Sequence, residues 1–106
     1  MKIVIAGAGS VGTYLVERLH SEDHDILIID SSEAVLQKLS SSFDVQTVCG
    51  SASSLKTLKD SGVIDADIFI AATQSDETNL ISCLLADSAN EGLRKIARVR
   101  ELVTDA

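Results

Sequence analysis

The stretch Lys2-Ile3-Val4-Ile5-Ala6-Gly7-Ala8-Gly9-Ser10-Val11-Gly12-Thr13-Tyr14-Leu15 decides the fold. Its first five residues form a run rich in Ile and Val, the composition of a strand buried on both faces. Val11, Leu15 and, further on, Leu19 recur every four residues, which places them on one face of a helix. Between strand and helix, residues 7–12 read Gly-x-Gly-x-x-Gly. Alone, that motif is weak. Here it follows a strand, opens a helix, and is answered by Asp30, which ends a second apolar run 18 residues after Gly12. These are the contextual marks of a dinucleotide-binding βαβ unit.

Each position has a physical task. Gly7 permits the tight turn, Gly9 lets a pyrophosphate approach the backbone, and Gly12 lets the helix pack against the strand. Ala8, Ser10 and Val11 fill the remaining positions of the loop, and the N–H groups around Ser10 and Val11 point toward the phosphates with the help of the helix dipole. Asp30 is positioned to accept hydrogen bonds from both ribose hydroxyls of an adenosine. Its charge repels a 2′-phosphate, and neither Ser31 nor Ser32 supplies an arginine to offset it. NAD(H) or a plain adenine nucleotide is therefore expected in preference to NADP.

The alternation continues along the chain. Residues 26–29, 45–49, 68–72 and 96–99 are further apolar runs. The segments between carry Val35, Leu36 and Leu39, then Leu55 and Leu58, then a strong stripe of Leu80, Ile81, Leu84 and Leu85. Four strand–helix pairs and a fifth strand argue for an α/β fold: a Rossmann-like, doubly wound parallel sheet in three α/β/α layers. Ser31 or Ser32 is suited to start the second helix, Ser75 or Asp76 the fourth, and Gly62 and Gly92 are suited to stop helices. Residues 1–106 make one domain. A complete six-stranded dinucleotide fold needs one more helix and strand, so the run is expected to be truncated after the fifth strand, as a piece of a longer chain.

Composition narrows the function. Of the 106 residues, 45% are hydrophobic and 24% charged, which suits a soluble globular domain and not a disordered one. A net charge of −7 disfavours nucleic acid and anionic lipid as partners. No apolar run approaches the roughly 18 residues a membrane span needs, so no direct membrane insertion is expected. The N-terminus lacks a basic segment followed by a long apolar one, the pattern of a secretory signal. Cys49 and Cys83 stand 34 residues apart with no paired cysteine motif, which gives neither a zinc site nor a disulfide framework. Both are expected to be small core residues in a reducing, cytoplasmic setting.

Residues 65–80 run Asp65-Ala66-Asp67-Ile68-Phe69-Ile70-Ala71-Ala72-Thr73-Gln74-Ser75-Asp76-Glu77-Thr78-Asn79-Leu80. With the glycine loop, Asp30 and Ile96-Ala97-Arg98-Val99-Arg100, this segment resembles the TrkA N-terminal domain, also called the KTN or RCK domain. The resemblance extends from Met1 to about Arg100. It implies a sensor and not an enzyme: a cytoplasmic regulatory domain that binds NAD(H), with ATP/ADP as the close alternative. It also implies homodimers or larger rings held at the inner face of the membrane by a membrane-embedded potassium transporter subunit. Carried over by position, Gly7, Gly9 and Gly12 match the phosphate loop and Asp30 the ribose acid. Gly50-Ser51-Ala52 falls where the family has Gly-Asp-Ala beside the adenine, so Ser51 departs from the pattern and removes a charge there. Thr73 matches a contact to the inner half of the nucleotide, and Arg98 and Arg100 match a basic strand end that meets phosphate oxygens.

Local readings of the same residues stand beside these. Arg94, Lys95, Arg98 and Arg100, four of the nine bases, crowd into seven residues and are either phosphate contacts or the solvated face of an edge strand. Asp76, Glu77 and Asn79 read first as helix-capping groups. The competing functional class is the cofactor-binding half of an NAD-dependent oxidoreductase. It would need a substrate domain and an acid–base constellation, and neither is legible in these residues.

Overall fold

The computed structural model describes residues 1–100. Its elements are β1 (Lys2–Ala6), α1 (Ser10–Leu19), β2 (Asp25–Asp30), α2 (Glu33–Ser42), β3 (Gln46–Cys49), α3 (Leu55–Asp60), β4 (Ile68–Ala71), α4 (Asp76–Ala89) and β5 (Arg94–Ala97). Two short 3₁₀ turns, His20–Glu22 and Val63–Asp65, follow α1 and α3. All pairings are parallel and the sheet order is β3-β2-β1-β4-β5. This is the expected doubly wound sheet. The chain winds one way through β2 and β3, then crosses to the other side of β1, so the strand order reverses between β1 and β4. Such a reversal opens a crevice at the carboxyl ends of the strands.

Two apolar layers flank the sheet. On one face Val4, Ala6, Leu27, Ile29, Phe69 and Ala71 pack with Leu58 of α3 and Ala86 of α4. On the other, Ile3, Ile5, Ile26 and Ile28 pack with Val16 of α1 and with Leu36 and Leu39 of α2. Successive residues of β1 serve opposite layers, which is why the strand reads as continuously apolar. The acidic entry to β4 has a local cause: the Asp67 carboxylate accepts the Lys2 amide at 2.8 Å, and the Asp67 amide donates to the Lys2 carbonyl at 2.9 Å.

The outer strands depart from the expected pattern. β3 is largely exposed, and β5 spans Arg94–Ala97 instead of 96–99. Its register pairs Ile68 with Arg94 and Ala71 with Ala97, and Ile96 is 54% exposed. An edge strand needs sheet hydrogen bonds on one side only, so polar side chains are tolerated and apolar content misplaces its bounds. Cys49, on this outer β3, is exposed and not a core residue. Gly92 does not stop α4 either. The helix ends at Asn90, whose amide donates to the Ala86 carbonyl at 2.9 Å and whose side chain reaches the Val63 and Ala66 carbonyls. Gly62, by contrast, takes the left-handed conformation (φ 78°) just beyond α3.

The stripe on α4 splits. Leu85 packs on the core, while Leu80 and Leu84 are 50% and 72% exposed and Ile81 lies beside them. The buried face of α4 is made by Asn79, Ser82 and Ala86. Small residues at this spacing let the helix lie close to β4 and β5, and the large apolar ones are turned outward.

Candidate functional site

The glycine loop is shaped by close backbone packing. Gly7 has φ 108°, and a Cβ there would lie 2.8 Å from the Ala72 carbonyl oxygen and 2.9 Å from the Thr73 nitrogen. A Cβ on Gly12 would lie 1.7 Å from the Gly7 carbonyl oxygen. The fold itself therefore demands both glycines. Gly9 differs: a Cβ there would have nothing within 4 Å. Protein packing does not require glycine at position 9, and the space outside it is open.

Gly9 is also the N-cap of α1, and it supplies no side-chain cap. The other three α-helices begin on serines that do. Ser32, Ser54 and Ser75 accept the amides of Val35, Thr57 and Thr78. Ser32 and Ser75 thus resolve the two capping alternatives, and Ser31 and Asp76 are not caps. The first amides of α1 point out of the fold with a partial positive charge, the arrangement that receives a phosphate.

Asp30 stands beside them at the end of β2. Its Oδ2 accepts the Ala8 amide and its Oδ1 the Ser32 amide, both at 2.8 Å. The carboxylate thereby ties the glycine loop to the start of α2. Each oxygen retains a second lone pair for a ribose hydroxyl. The sequence signalled an acid for a ligand, and the structure shows the same acid also serving as a strut for the loop.

Two adjoining hollows occupy the crevice. The larger, about 340 Å³, runs from Gly7 and Asp30 past Ser31, Ser51 and Ala52 to Thr73 and Thr78, with Ile29 on its floor. The smaller, about 190 Å³, lies between Gly9 and Ser10 on one side and Arg98 and Arg100 on the other. Gly7, Asp30, Thr73 and Gln74 line both, so the two are lobes of one groove. Every residue carried over from the family pattern falls in or behind this groove, with Ala8 and Val11 contributing through the loop and helix backbone. The first lobe sets an apolar floor beside the Asp30 acceptor, and the second sets the start of α1 beside cationic side chains. Ser51 is exposed and its hydroxyl lies 2.9 Å from that of Ser53, so that lip of the groove is neutral.

The two arginines are not equivalent. The Arg100 guanidinium donates to the Gln74 carbonyl and lies 3.9 Å from Asp76, and the Arg100 amide donates to Asp76 Oδ1 at 3.0 Å. Arg98 forms no salt bridge among the described residues and lines the smaller lobe directly. Arg94 and Lys95 belong to the solvated edge instead, Lys95 pairing with Asp87 at 2.8 Å. Cys49 sits at the groove's outer lip, where its thiol donates to the Ser31 carbonyl at 3.5 Å. Partial loss of solvation there, then the carboxylates of Glu33 and Asp30, raise the thiol above its ordinary pKa.

Asn79 is the residue that local reading misplaced. It is fully buried and caps nothing. Its Oδ1 accepts the Thr73 amide at 2.9 Å and the Thr73 hydroxyl at 2.6 Å. Its Nδ2 donates to the Thr73 carbonyl at 3.1 Å and the Arg98 carbonyl at 2.8 Å. The Thr73 hydroxyl in turn accepts the Ser75 amide at 3.2 Å, so that side chain is committed inward to the turn. The available signal was an asparagine in helical register with Ser82 and Ala86, the closely packed face of α4.

Comparison with known proteins agrees with this architecture. The TrkA-N domain family matches residues 3–104. The chain is 46% identical over 100 residues to the Trk system potassium uptake protein TrkA of Haemophilus influenzae, covering 94% of this chain and 22% of that protein. It is 44% identical over 86 residues to a TrkA homolog of Archaeoglobus fulgidus, covering 81% and 19%. The chain therefore spans about a fifth of the length of these relatives. Among solved structures, the TrkA-N domain of the Escherichia coli inner membrane protein ybaL superposes with a TM-score of 0.82 at 20% identity, over 89% of this chain and 69% of that one. The GsuK channel superposes at 0.81 and 26% identity, over 94% and 18%. A GsuK channel bound to NAD superposes at 0.74 and 24% identity, over 85% and 16%. Fold, glycine loop and sequence likeness converge: the chain belongs to the TrkA-N domain family.

Proposed function

We propose that this domain is a regulatory nucleotide sensor of a potassium transport system, which takes NAD(H), or alternatively ATP/ADP, in the groove at the strand ends. The observation that carries the reading is the uncapped start of α1 opening on the same groove as the Asp30 carboxylate and Arg98. Asp30 holds the adenosine ribose, the α1 amides and Arg98 hold phosphate, and Ser51 and Ala52 border the base. The titratable side chains lining the groove are Asp30, Arg98 and Arg100. None is paired as a general acid and base, which favours binding over catalysis. The relatives' names support potassium uptake as the process served, and the NAD-bound channel supports the ligand class.

As a regulator the domain acts from the cytoplasmic side on a membrane-embedded transporter subunit. Among the described residues no helix is long and apolar enough to cross a membrane. Self-association into a dimer or ring uses the outward face of α4, where Leu80, Ile81 and Leu84 form an apolar patch. Nucleotide changes the assembly by binding one of its arrangements more tightly than the other.

Thermal unfolding with matched concentrations of NAD⁺, NADH, NADPH, ATP, ADP and AMP tests the reading. A ligand at about 100 times its dissociation constant adds about 2.7 kcal/mol, a rise of roughly ten degrees or more for a domain of this size. A rise with NADH and none with NADPH identifies a redox-linked sensor. A rise with ATP or ADP alone identifies an energy sensor. No rise with any of the six refutes the ligand reading.

A further inference from the structure

We propose that Asn79 is a positioning residue for the nucleotide groove: it locks the turn after β4 to the end of β5, so that occupancy of the groove is felt at Arg98 and Arg100. The inference rests on the nucleotide-binding reading above and goes beyond it. Thr73 and Arg98 both line the smaller lobe and belong to different segments, one after β4 and one after β5. Sheet pairing alone joins them loosely, since the last β4–β5 register pair is Ala71 with Ala97 and the Arg98 amide bonds back to the Ala71 carbonyl at 2.8 Å. Beyond that point Arg100 links the segments at the surface, through the Gln74 carbonyl and Asp76, and Asn79 links them in the interior, its four hydrogen-bonding positions all used: three on Thr73 and one on the Arg98 carbonyl.

An ordinary buried asparagine satisfies groups within its own turn. This one spans 19 residues to reach Arg98, from a helix that does not touch the groove at that position. A side chain with every donor and acceptor committed in a buried setting permits few alternatives, because moving either partner leaves a buried polar group unpaired. A phosphate that draws Arg98 inward therefore also orders the Thr73 turn, and the reverse holds equally.

Hydrogen exchange on the chain with and without saturating NADH, repeated with ATP, reads this directly. In the unsubstituted protein the nucleotide that binds is expected to slow the Thr73, Arg98 and Arg100 amides together by about tenfold or more. In Asn79→Ser the Thr73 amide loses its acceptor and the link to the Arg98 carbonyl is cut, so nucleotide no longer slows Thr73 and Arg98 together. Ser82→Ala serves as a control for stability, because the Ser82 hydroxyl is buried on the same helix face and bonds only the Asn79 carbonyl. It is expected to keep the coupled protection. Should Asn79→Ser fail to fold, the unsubstituted protein still decides the matter: binding by calorimetry without slowed exchange at Arg98 and Arg100 overturns the proposal. So does coupled protection that survives in Asn79→Ser. Absence of calorimetric binding by either nucleotide overturns the ligand reading and this inference with it.

Discussion

Replacing Asp30 by alanine should produce two separable losses. The carboxylate accepts two backbone amides at 2.8 Å, one from the glycine loop and one from the start of α2. Hydrogen bonds to a charged acceptor contribute about 1.5–3 kcal/mol each when the partner is left buried, and the lower figure suits this half-exposed site. A loss of about 2–3 kcal/mol follows, or roughly 10 °C or more in melting temperature. Affinity for NADH should fall as well, but a slackened loop alone produces that. Discrimination against NADPH separates the causes. A 2′-phosphate carries nearly two negative charges, and at about 4 Å from a carboxylate in a watery cleft each pair costs about 1 kcal/mol. The unsubstituted protein should prefer NADH over NADPH by about 2 kcal/mol, roughly thirtyfold. In Asp30→Ala both affinities drop and the ratio collapses toward one. Calorimetric titration of both ligands against both proteins measures it. An unchanged ratio would refute the ribose role, and an unchanged melting temperature would refute the strut.

The three loop glycines make a graded series. Gly12→Ala forces a methyl onto the Gly7 carbonyl and should cost several kcal/mol, about 3 or more, by denaturant unfolding. Gly9→Ala meets open space and should cost about 1 kcal/mol or less, yet weaken nucleotide binding by about tenfold or more. Equal effects of the two substitutions on stability would contradict the packing described. At the groove's lip, the raised pKa of Cys49 keeps its thiol neutral at pH values where an ordinary cysteine already ionises. Iodoacetamide should therefore label it slowly near neutrality and faster only at more alkaline pH, and bound nucleotide should slow labelling further; mass spectrometry against a free cysteine-containing peptide as reference reports both. Leu84→Glu changes a side chain that is 72% exposed, so folding should persist within about 0.5 kcal/mol. Sedimentation should nonetheless show dimers or rings dissociating, and unaltered assembly would remove α4 as the contact.

The central part of the fold was legible because β1 and β2 obey simple rules: residues 3–6 and 26–29 are unbroken apolar runs, and each strand is followed by a helix of clear period. Gly7, Gly12 and Asp30 were legible because backbone geometry and charge leave few substitutes. The edges were less so. β5 begins on Arg94 and Lys95, which no apolar pattern selects, because an edge strand is specified by its one neighbour. Asn79 was misread for a different reason. Its partners lie at Thr73 and at Arg98, just beyond β5 and 19 residues away, and the second of these is invisible to any rule of local capping. The outward stripe on α4 likewise looks, in sequence, like a core-facing one, because periodicity shows that a face is apolar and not what it meets.

The two flanks of the sheet carry one more consequence. β3 and β5 are each only four residues long and present Gln46 and Thr47 on one side, Arg94 and Lys95 on the other. Short strands bearing polar and cationic side chains make poor templates for a further strand. Sideways accretion of one sheet onto another is discouraged at both rims, so concentrated protein should stay clear of fibrous growth, and copies that meet are steered toward helix-to-helix encounter.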